Sequence, residues 1–87
     1  MKALCQTIIY AACFLELSSD DTVNPDAAVK ALEDISSALL SATDEEQQAF
    51  VNACQEEAHR LQSMPGYAGT AEFVRSLPFA TGLKEQA

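Results

Sequence analysis

An 87-residue chain with 13 acidic and five basic side chains carries a formal charge of -8, a field that repels nucleic acids and anionic membrane surfaces and attracts basic partners. This length leaves room for one small core in a single domain, residues 1–87, and the 48% apolar content argues against disorder. Cys5, Cys13 and Cys54 are an odd set with no C-x-x-C spacing, which reads as buried small hydrophobes in a reducing, cytoplasmic setting.

The first predicted helix runs from Lys2 or Ala3 to Leu17 and stops in Ser18-Ser19-Asp20-Asp21, side chains that compete for backbone hydrogen bonds. From Ile8 to Leu15 every residue is apolar or weakly polar, so the helix has no polar face. Lys2 in its first turn and Glu16 in its last also oppose the macrodipole. Burial must therefore hold it, and the expected cover is a second copy of the chain, with Ile8, Ile9, Ala12, Phe14 and Leu15 at a homodimer interface. Tyr10-Ala11-Ala12-Cys13 resembles a lipoprotein cleavage site faintly, but Tyr10 fits that role poorly and Cys5-Gln6-Thr7 interrupts the apolar run. No segment reaches the ~20 apolar residues of a membrane span.

Asn24-Pro25-Asp26 is a helix start: Asn caps, Pro takes the first position where its missing N–H costs nothing, and Asp meets the positive end of the dipole. Ala28, Leu32, Ile35 and Leu39 form the apolar stripe of this second helix, with Asp26, Lys30 and Asp34 outside. Thr43-Asp44-Glu45-Glu46 fits a capping box, so a third helix opens at Asp44, with Phe50, Cys54, Ala58 and Leu61 inward and Glu56 paired to Arg60 at i, i+4. Gln62 to Gly66 ends it. Thr70 is the expected cap of a short fourth helix through Leu77, stopped by Pro78, after which Phe79 and Leu83 plug the core and Lys84 to Ala87 fray. The expected class is all-α: a small dimeric bundle of three main helices plus a short C-terminal one.

Glu56-x-x-His59 has the spacing of half a di-metal carboxylate site, so a metal-binding or catalytic helical dimer centred on Glu56 and His59 is the alternative reading. A single copy makes no site, and neither a metal nor a cofactor is expected. Cys54 and His59 are five residues apart, roughly 140° around a helix, and no other pattern nominates catalytic residues. Asp34-Ile35-Ser36-Ser37 is the nearest approach to the Asp-Ser-Leu motif of acyl carrier proteins, but it lies in mid-helix, so that resemblance covers size and charge only.

Between Glu16 and Glu57 stand eleven carboxylates and one base, Lys30. Asp26, Asp44, Glu45 and Glu46 serve the helix starts. The surplus at Asp20, Asp21, Glu33, Asp34, Glu56 and Glu57, together with Tyr67 in a Pro/Gly-flanked loop, is the candidate surface for a basic protein partner. In size, helicity and charge the chain resembles bacterial immunity proteins and antitoxins, which implies an inhibitor or adaptor that works by contact.

Overall fold

The computed structural model describes residues 1–83, all-helical among those residues, in four helices: α1 (Lys2–Leu17), α2 (Pro25–Leu40), α3 (Asp44–Gln62) and α4 (Ala68–Ala80). The expected fraying of 84–87 lies outside the described residues. No described helix is long and apolar enough to cross a membrane.

Both strong start signals operate as read. The Asn24 side chain accepts from the Ala27 N–H at 3.0 Å, with Pro25 in the first turn of α2. At α3 the Thr43 hydroxyl accepts from the Glu46 N–H at 3.1 Å while the Glu46 carboxylate accepts from the Thr43 N–H at 2.9 Å, so two otherwise orphaned donors are satisfied reciprocally. A device not visible as a motif closes the other end of α2. Gln47 of α3 donates from Nε2 to the Leu39 and Leu40 carbonyls, at 2.9 and 3.3 Å, tying the last turn of one helix to the first of the next.

The fourth helix departs from expectation at both ends. It starts at Ala68 behind Tyr67, where no side chain caps it, and it runs through Pro78 to Ala80. Pro78 falls in the last turn, and Gly82 ends the helix instead: at φ 86° it lets the Gly82 N–H reach the Phe79 carbonyl at 3.0 Å and the Leu83 N–H reach that of Pro78 at 2.9 Å. This is a Schellman closure, which needs a left-handed residue that glycine supplies without strain. Gly66, at φ 84° after Pro65, plays a similar part in the turn that carries the chain from α3 to α4.

The core is centred on α3, which contributes Phe50, Ala53, Cys54, Ala58 and Leu61, faced by Ala71, Val74 and Leu77 of α4 and by Cys5, Ile9 and Ala12 of α1. Phe73 and Leu83 pack on its edge. Helix α2 contributes least: Ala28 and Leu39 alone are buried, and Leu32 and Ile35 are half-buried.

The requirement for cover on every side of α1 is where expectation and structure differ most. Its small residues Cys5 and Ala12, with Ile9 between, seat one side of the helix in the core. The opposite side stays open, with Leu4 65%, Phe14 57%, Tyr10 51% and Leu17 48% exposed. Ile9 and Ala12, expected at a dimer interface, are consumed inside the chain's own core; Ile8 and Leu15 are half-buried, and only Phe14 of that set is freely available.

Candidate interaction surface

Two grooves open beside α2, and Ile8 of α1 and Ile35 of α2 line both. The first, of about 410 Å³, lies between the N-terminal half of α1 and the C-terminal half of α2, walled by Leu4, Ile8, Ala11, Ile35 and Leu39. The second, of about 590 Å³, runs between α1, α2 and the end of α4. Its walls are Ile8, Leu32, Ile35, Phe73 and Leu77, and the charged groups among its described lining residues are both acids, Glu16 and Glu33. Ser36, Ser37 and Thr81 supply the remaining polar atoms. Phe50 forms part of both grooves and is nearly wholly buried.

The surplus carboxylates have different surroundings. Glu33 faces the second groove, while Asp20 and Asp21 are exposed in the loop after α1. Asp34 accepts from the Lys30 ammonium at 2.9 Å, an exposed i, i+4 pair. Glu56 pairs with Lys2 at 3.4 Å across α1 and α3 rather than with Arg60. Tyr67 is 44% exposed and lines neither groove.

Glu57 corrects the reading of a solvated carboxylate. It is 3% exposed and takes both Arg60 guanidinium contacts, Nε at 3.0 Å and Nη2 at 2.6 Å. The arithmetic was available: Glu57 lies seven residues after Phe50, three after Cys54 and four before Leu61, in the middle of the buried stripe. The Arg60 hydrogen bonds hold its carboxyl below the ordinary carboxylate value; burial opposes them, and Tyr10 and Lys2 add smaller downward contributions. A buried, paired carboxylate is a structural element and has no charge to offer a partner.

His59 is exposed beside Gln62 and Ser63 in a shallow hollow, with Glu56 committed to Lys2. Among the described residues no three His, Cys, Asp or Glu side chains come together as a metal-ligand set.

All three cysteines are free, Cys5 and Cys54 buried and Cys13 half-buried. Burial pushes the Cys54 thiol up to about 12, helped by the nearby Cys5 and Cys13, and raises those two as well. Thiolate is the reactive form, so titration of the native chain with an aromatic disulfide reagent at pH 8 should be slow, Cys13 first, with all three reacting promptly in denaturant. Immediate labelling of Cys54 in the native chain would contradict this packing. The linkage sign follows: above the ordinary thiol value of 9.0 the unfolded chain loses protons that buried Cys54 retains, so stability declines as pH rises from there towards 12.

Comparison with protein-family models, with curated proteins and with solved structures finds no match to this chain.

Proposed function

We propose that this chain is a small acidic interaction module, an inhibitor or adaptor that acts by contact, and that it receives a basic amphipathic helix of a partner protein in the groove between α1, α2 and α4. The observation that carries this reading is the composition of that groove: apolar walls from Ile8, Leu32, Ile35, Phe73 and Leu77, bordered by Glu16 and Glu33 with no base among its described lining residues. Apolar anchors at helical spacing would seat on the walls, and Lys or Arg beside them would meet the two carboxylates. The whole-chain charge of -8 steers such a partner from a distance. Self-association belongs to the same reading, since the uncovered side of α1 offers a second contact surface distinct from the groove.

Capture from native lysate on immobilised chain, read by mass spectrometry, tests the first part. The expected captures are basic proteins, lost when Glu16→Lys and Glu33→Lys are combined. Stopped-flow association of a captured partner should slow by tenfold or more between low salt and about 0.5 M, because the Debye length contracts from roughly 30 Å at 0.01 M to a few Å. A salt-independent on-rate with capture indifferent to the double charge reversal would sink the proposal.

A further inference from the structure

The open side of α1 has an order that its composition alone does not show. Leu4, Thr7, Ala11 and Phe14 are spaced 3, 4 and 3, the seam of two coiled-coil heptads, and all four are exposed. Tyr10 and Leu17 flank the seam on one edge and Ile8 and Leu15 on the other, so α1 itself places no charged residue on this face in a chain carrying -8 overall. The contiguous apolar patch is on the order of several hundred Å², at the upper end of what monomeric proteins expose.

We infer that this face pairs with the same face of a second copy, antiparallel, about a two-fold axis level with Ile9. The inference rests on reading α1 as a self-association surface and adds its register. About that axis Leu4 lies opposite Phe14 of the second copy and Thr7 opposite its Ala11, so the seam is complementary to itself when reversed. The small residues meet at the centre, where the helices cross most closely, and the large ones fill the ends.

Charge favours the same orientation. A parallel pair would gather Glu16, Asp20 and Asp21 of both copies at one end. The antiparallel pair separates these acids, sets each acidic end at the level of the other copy's Lys2, and opposes the two helix dipoles. The first groove is continuous with the seam, since Leu4, Thr7, Ile8 and Ala11 form one of its walls, so a helix laid on the seam also dries that wall. A standard interface buries ~800 Å² per partner, so the groove wall is expected to be covered together with the seam.

Sedimentation of the full chain at tens of micromolar should give about twice the chain mass, and Phe14→Asp should halve it while leaving the far-ultraviolet helix signal unchanged. Ala3 and Leu17 lie on the same edge of the seam, so an equimolar mixture of Ala3→Cys and Leu17→Cys variants should oxidise to a disulfide joining positions 3 and 17 between chains. Peptide mass mapping distinguishes this link from any native thiol. Links of 3 to 3 and 17 to 17 would overturn the antiparallel register while leaving self-association standing. A monomer at every concentration would overturn both, and a dimer that Phe14→Asp does not disturb would overturn pairing through this face of α1.

Discussion

Phe50→Ala is expected to destabilise the fold by about 3–5 kcal/mol, the range for truncating a fully buried aromatic side chain. Phe50 is 1% exposed and lines both grooves, so truncation removes packing beside each of them. Because Ala28 and Leu39 are the only buried residues of α2, little else can collapse to refill the space. A domain of this size has only about 5–10 kcal/mol to lose, so the variant should lie near the edge of folding at 37 °C. Urea denaturation followed by circular dichroism checks this; a midpoint within 0.5 M of the parent would show that α2 relaxes inward.

Arg60→Ala is expected to cost about 2–3 kcal/mol at pH 7, less than the 3–5 kcal/mol typical of a stranded buried charge because the guanidinium is partly solvated. Removal leaves the Glu57 carboxylate inside the protein without its bidentate partner. The pH dependence identifies the cause. In the parent chain the folded value of Glu57 lies below its ordinary 4.5, so the pair's stabilisation is present above that pH and is lost as pH falls through the lowered value. In the variant burial is opposed only by the smaller Tyr10 and Lys2 contributions and raises the carboxyl, so acid neutralises the stranded charge. The stability gap between the two proteins should therefore narrow from pH 7 towards pH 4. Replacing both residues by leucine should cost less than Arg60→Ala alone, and a gap independent of pH would assign the loss to packing of the arginine stem.

Local signals were legible to within a residue at the two helix starts whose caps lie in their own segment. Asn24-Pro25 and Thr43 to Glu46 marked two helix starts because a cap is a contract among neighbours in the chain. Pro78 misled because a proline that ends a helix and one tolerated in its last turn look alike until the downstream Gly82 closure is recognised. At Glu57 composition and position point opposite ways: an acid beside Glu56 reads as surface, yet its offset from Phe50, Cys54 and Leu61 places it on the buried stripe. The grooves had no local signature. They arise from how sparsely α2 packs, which depends on residues of α1, α3 and α4 together.

By itself the sequence determined the helical class, the starts of the second and third helices, the acidic field and the inward stripe of α3, since each depends on period, caps or charge count. Which side of α1 enters the core was a tertiary decision. A helix apolar on every side has no preferred face, and its orientation is chosen by fit: Cys5, Ile9 and Ala12 present a narrow ridge that seats closely in the core centred on α3, whereas Leu4, Tyr10 and Phe14 would hold the helices apart. The same choice left the regular seam of Leu4, Thr7, Ala11 and Phe14 facing outward, and it spent on the chain's own core two of the residues, Ile9 and Ala12, that hydropathy alone assigned to a partner.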